Sequence, residues 1–93
     1  MRGLSDQTTK TEGTAEVVIY HTPGCGRCRA AREFFERRGL AVRMLDVAND
    51  MSALRRMARK ARGNRSVPVI EYGAEVVVGF DPDYWAARLE GRP

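Results

Sequence analysis

Val17-Val18-Ile19-Tyr20-His21-Thr22-Pro23-Gly24-Cys25-Gly26-Arg27-Cys28 decides how this chain of 93 residues is read. An apolar, β-prone run closes in a Thr-Pro-Gly turn, two cysteines follow with two residues between them, and an amphipathic helical pattern starts at once. The thiols are expected where a strand hands over to a helix. The thiolate is the nucleophile in disulfide exchange, and an ordinary thiol, with a pKa of about 8.5, is mostly protonated at neutral pH. The unpaired N–H groups and positive dipole end of a helix start favour an anion in the first turn, and Arg27 and Arg29 add positive charge nearby. Cys25, the outer cysteine, is therefore the expected nucleophile, and Cys28, one turn deeper, the expected resolving thiol. In that cycle Cys25 attacks a substrate disulfide, a mixed disulfide forms, and Cys28 displaces the reduced substrate.

The composition narrows the alternatives. A hydrophobic share of 43% supports one small core, and two cysteines are too few for a framework of disulfides that replaces one. No apolar run approaches a membrane span, and the polar stretch 1–15 has no apolar core of a signal peptide, which points to a cytoplasmic protein. There a Cys-x-x-Cys pair reads as redox-active or metal-binding. The two cysteines and His21 fall short of the four ligands of structural zinc, so no metal is expected. A net charge of +4 raises the question of nucleic acid, but the basic residues lie on helix faces without a nucleic-acid motif.

Residues 1–15 read as a disordered leader and residues 16–93 as one domain. A first strand spans Val17 to Tyr20. A helix follows from Gly26 to Arg38, with Cys28, Ala31, Phe34 and Phe35 on its apolar stripe and Gly39 as its left-handed stop. A second strand, Ala41 to Val47, is expected near a sheet edge and parallel to the first, because a whole helix separates them. Asn49 or Asp50 caps the next helix, whose stripe is Met51, Leu54, Met57, Ala58 and Ala61 and whose outer face carries Arg55, Arg56, Arg59, Lys60 and Arg62. Like charges this dense either form a solvated face or dock an acidic partner. Strands over residues 66–72 and 75–78 form a hairpin through Gly73-Ala74, with Pro68 near the first strand's start. Asp81 caps a last helix, about Pro82 to Glu90, that lays Trp85 and Leu89 on the sheet. The order βαβαββα predicts an α/β fold, a four-stranded mixed sheet with helices on both faces.

Over roughly Glu16 to Leu89 the chain resembles the glutaredoxin family of the thioredoxin fold. The likeness rests on Ile19-Tyr20 before Cys25-Gly26-Arg27-Cys28, on Ser66-Val67-Pro68-Val69, and on Gly79-Phe80-Asp81, all in register. It implies a thioredoxin-like three-layer α/β/α architecture and thiol-disulfide oxidoreductase activity. It implies that Pro68 is the cis-proline of that fold, that the Val67 backbone pairs with a substrate peptide or glutathione, and that Asp81 and the adjoining Gly79-Phe80 backbone contact glutathione. Tyr20 and Phe80 become candidate groove residues, and Arg27 a thiolate-stabilising one. No cofactor is expected to be tightly bound, and glutathione enters as a co-substrate. Glutaredoxins commonly carry Pro and Tyr where this chain has Gly26 and Arg27, often a basic residue at the place of Thr22, and a second glycine at the place of Val78. The segment Gly79-Phe80-Asp81-Pro82-Asp83 also looks like the matching turn of NrdH-type redoxins, which take electrons from thioredoxin reductase, although those typically have Arg at position 81. The expectation is a monomer that reduces disulfide-containing proteins, with glutathione or thioredoxin reductase as its electron source and without nucleic acid or membrane partners. The alternative that the resemblance carries is a glutathione-dependent carrier or scaffold for a 2Fe-2S cluster, with the cluster shared across a dimer by Cys25 and glutathione.

Overall fold

A computed structural model describes residues 16–90. The expected leader over residues 1–15 lies outside the described residues. The order is β1 (Glu16–His21), α1 (Gly26–Arg37), β2 (Ala41–Asp46), α2 (Met51–Lys60), β3 (Val69–Tyr72), β4 (Glu75–Val78) and α3 (Pro82–Glu90). The strands make one mixed sheet in the order β2-β1-β3-β4. β1 runs parallel to β2, with Tyr20 opposite Leu45, and antiparallel to β3, with Tyr20 opposite Val69. Tyr72 pairs with Glu75 across the two-residue turn that joins β3 to β4, and Gly73 takes a φ of +61° there, a conformation that suits glycine.

Side chains alternate across a strand, and this alternation builds the layers. Val17 and Ile19 of β1 join Ile70 of β3 on one face, where α1 supplies Ala31 and Phe35 and α3 supplies Trp85 and Leu89. Val18 and Tyr20 join Val69 on the other face, where α2 supplies Ala53 and Met57. Helices therefore cover both faces, the three-layer arrangement of the thioredoxin fold. β1 is buried from Val17 to Tyr20, as a central strand in such a sandwich must be.

Three details of the sequence reading change. Phe34 is half-buried, because its ring packs edge-on to Phe35 and Phe80 at centroid separations of 5.1 and 5.4 Å while the Arg38 guanidinium lies 3.7 Å over its outer face. Met51 is 62% exposed, and Ala53 takes its place in the stripe of α2. The cap sets this rotation: Asp50 Oδ1 accepts from Ser52 N at 2.9 Å and Ala53 N at 3.2 Å, which puts Met51 at the first, outward-facing helical position. Finally, β3 begins at Val69, one residue after Pro68, whose lack of an N–H keeps it out of the ladder.

Candidate active site

The C-terminal end of β1, the start of α1 and the loop before β3 meet at one end of the sheet. Pro23 and Gly24 turn the chain out of β1, with Gly24 at a φ of +79°, and Cys25 N donates to Thr22 O at 3.3 Å to close the turn. Cys25 is then the N-cap of α1, with φ −81° and ψ 107°, and its Sγ accepts a hydrogen bond from Cys28 N at 3.2 Å. A sulfur thus occupies the place that a serine or aspartate oxygen takes in an ordinary cap. One of the unpaired amides of the helix start points at it.

Cys25 and Cys28 are joined in a disulfide, with Cα atoms 5.3 Å apart, inside the usual disulfide range of about 4.4–6.8 Å. Cys25 is half-buried, whereas Cys28 is 2% exposed. Only the outer sulfur is open to a bulky reactant.

The Val67–Pro68 peptide bond is cis. Because Tyr20 is opposite Val69, Pro68 lies at the same sheet end as the dithiol. Gly79 N donates to Pro68 O at 2.7 Å, just beyond the last β3–β4 pair of Val69 with Val78, and a φ of +90° makes glycine the fitting residue there. Phe80 is half-buried against Phe34 and Phe35. Arg27, exposed, reaches the Phe80 carbonyl with Nη2 at 3.5 Å, spanning from α1 to this turn. Asp81 Oδ1 accepts from Asp83 N at 3.0 Å and Tyr84 N at 3.4 Å, so that oxygen is engaged as the cap of α3. A groove of about 350 Å³ runs between Arg27, the end of β4 and Tyr84.

Tyr20 needs correction as a groove residue. It is fully buried on the α2 face, and its hydroxyl donates to Glu71 Oε1 at 2.6 Å. The alternation of β1 aims it away from α1 and hence away from the cysteines.

Glu71 was missed by sequence reading. It is 6% exposed, and Arg56 Nη2 at 3.4 Å and Lys60 Nζ at 3.3 Å pair with its Oε2. Burial opposes its ionisation, but the Tyr20 hydrogen bond and the two cations outweigh it and hold its carboxyl below the usual glutamate range. Burial first, then Glu71, pushes the Tyr20 hydroxyl up to about 12. Two of the basic residues assigned to the outer face of α2 therefore turn to the sheet. The available signal was a lone acid inside the apolar run Val69-Ile70-Glu71-Tyr72.

A second cleft, of about 200 Å³, flanks the dithiol on the β2 side; both cysteines, His21, Arg29, Arg32 and Met44 are among its lining. Here too a signal was present. Positions 25, 28, 29 and 32 follow the spacing of one helix face.

A dithiol on a helix N-terminus, beside a cis-proline loop on a βαβαββα sandwich, defines a thiol-disulfide oxidoreductase of the thioredoxin fold. Comparison with known proteins places it further. Residues 17–77 match the family model described as Glutaredoxin, and the chain belongs to the glutaredoxin family. That span holds Cys25, Cys28 and Pro68 and ends before Gly79. An uncharacterized glutaredoxin-like 8.6 kDa protein in the rubredoxin operon of Clostridium pasteurianum is 31% identical over 65 residues, which are 70% of this chain and 85% of that one. The glutaredoxin-like NrdH-redoxin of Escherichia coli superposes with a TM-score of 0.67 at 32% identity, over 84% of this chain and 99% of its own. A thioredoxin-like protein superposes at 0.69 with 27% identity, over 76% of this chain and 96% of its own. Among the described residues no helix is long and apolar enough to cross a membrane.

Proposed function

We propose that the protein is a dithiol electron carrier that reduces protein disulfides, with Cys25 as nucleophile and Cys28 as resolving thiol. The observation that carries this is the amide of Cys28 directed at Cys25 Sγ at 3.2 Å from the first turn of a helix, a donor that favours a thiolate over a thiol. In the reduced protein the Cys25 thiolate attacks one sulfur of a substrate disulfide, and the other sulfur leaves as a thiolate and takes a proton from solvent. Cys28 then loses its proton and attacks Cys25 Sγ, expelling the second substrate sulfur. Two electrons pass to the substrate, and the Cys25–Cys28 disulfide remains. Val67 and Pro68 border the site where the mixed disulfide forms, and Gly79 and Phe80 shape the adjoining groove.

The electron source on this reading is a thioredoxin reductase, and the protein works in the cytoplasm, where disulfides are returned to thiols. Two features support it. The likeness to NrdH-redoxin, a glutaredoxin-like protein with a thioredoxin-like activity profile, covers nearly all of that chain. Thr22 is uncharged where glutaredoxins often carry a basic residue, and Asp81 Oδ1, at one of the positions that the resemblance assigned to glutathione, is taken by the α3 cap.

The test pairs two variants with two reductants. Cys25→Ser is expected to abolish reduction of a disulfide substrate, and Cys28→Ser to accumulate mixed disulfides visible by mass spectrometry. The wild-type disulfide is expected to consume NADPH with thioredoxin reductase and far less with glutathione and its reductase. Full activity in Cys25→Ser would remove the proposal, and efficient turnover by glutathione alone would replace the reductant.

A further inference from the structure

Deepening that function, and resting on it, we infer that the cleft on the β2 side of the dithiol is a subsite for an acidic side chain of the substrate, with Arg29 and Arg32 as specificity-determining residues. The two flanks of the dithiol differ in kind. The groove on the β4 side offers Val77, Val78 and Phe80 with Arg27 and Asp81 at its rim, an apolar floor with both signs of charge. The cleft on the β2 side holds two arginines and a histidine, and no carboxylate lines it.

Helical geometry makes this a built arrangement. Residues three and four apart are neighbours on a helix, so Arg29 and Arg32 stand one and two turns behind Cys25 on the face that carries Cys28. Among the described residues the Arg29 guanidinium has no carboxylate partner. The pair between Arg32 Nε and Glu36 Oε1 is 4.0 Å long, and both side chains are about half exposed, at 42% and 54%. Such a pair is weak, so Arg32 is free to turn to a better acceptor. A guanidinium fork matches a carboxylate bidentately.

Size selects the class of ligand. Pockets that engulf a small molecule measure about 300–1,000 Å³, and this cleft holds about 200 Å³. It suits one side chain of a peptide whose disulfide lies at Cys25. The occupant is an Asp or Glu of a substrate protein near its reactive cysteine.

Three otherwise identical peptides test this, each with an internal disulfide flanked by Glu, Gln or Lys. The reduced protein's kcat/KM is measured for each. An exposed ion pair is worth up to about 1 kcal/mol, and about 1.4 kcal/mol is tenfold, so the wild type is expected to favour the Glu peptide over the Lys peptide about fivefold, less at about 0.5 M salt. In R29Q/R32Q the ratio is expected to fall to near one. R55Q/R59Q, which removes the same charge from the outer face of α2, is expected to leave the ratio in place. Equal rates on the three peptides in the wild type, or an unchanged preference in R29Q/R32Q, would overturn the inference. A proportional loss on all three in R29Q/R32Q would also overturn it, by showing that the arginines act on the thiolate alone. Those outcomes leave the dithiol cycle standing, whereas no turnover of any peptide by the wild type would remove the cycle itself.

Discussion

Replacing Glu71 by alanine removes a carboxylate that ties β3 to β1 and α2. Its loss leaves the fully buried Tyr20 hydroxyl without its acceptor, a defect of about 1–3 kcal/mol. Arg56 and Lys60 have side chains 34% and 46% exposed, so water can resolvate them, and each lost pair adds only about 0.2–1 kcal/mol. The two cations also sit four apart on α2, where unmasked repulsion adds about 0.2–0.5 kcal/mol. Glu71→Ala is thus expected to destabilise the oxidised protein by about 2–4 kcal/mol, a large share of the roughly 5–15 kcal/mol of a small domain. Glu71→Gln keeps an oxygen for Tyr20 and loses the charge, so its loss at neutral pH should be about half as large. Urea unfolding followed by circular dichroism reads both. The acid limb discriminates further. A glutamate whose folded pKa is depressed stabilises the fold fully above the unfolded value, about 4.3, and loses that contribution as pH falls through the lower folded value. Wild type should therefore lose part of its stability below about pH 4 that Glu71→Gln never had. A Glu71→Ala protein as stable as wild type, with an unchanged acid limb, would refute the reasoning.

The alkaline side is set by Tyr20. A hydroxyl raised to about 12 when folded contributes stability that is whole below the unfolded tyrosine value, about 10, and is lost as pH rises toward 12; in Tyr20→Phe that step in urea stability should be missing. At Gly79 a Cβ meets nothing within 4 Å, but the φ of +90° penalises any L side chain. Gly79→Ala should therefore lower the unfolding free energy by about 1–2 kcal/mol from backbone strain alone. Asp81→Ala should lower it by about 1 kcal/mol through the lost cap of α3, and Asp81→Asn, which can still cap, by much less. Equal losses in the two Asp81 variants would place the effect on charge.

The site could be read from sequence wherever its parts are local. The strand, turn and helix that carry Cys25 and Cys28 are contiguous, so spacing and turn residues were enough, and Gly39 and Asp81 terminate their helices as their chemistry requires. The likeness to glutaredoxins added the distant partner, Pro68. What escaped depended on rotation or on distance along the chain. The Asp50 cap turned α2 so that Ala53 and not Met51 faces the sheet. Arg56 and Lys60 looked like any solvated arginine and lysine, because the acid they meet stands in another element, 15 residues beyond Arg56. Tyr20 precedes the dithiol closely in sequence, yet one step of strand alternation sends it to the opposite face.

The most direct measurement is the pH dependence of iodoacetamide alkylation in the fully reduced protein, with each cysteine followed by mass spectrometry. Cys25 should reach half its maximal rate well below the value of about 8.5 for an ordinary thiol, and Cys28 only above it. Two cysteines that both ionise near 8.5, at equal rates, would contradict the amide-stabilised thiolate on which the redox chemistry is built.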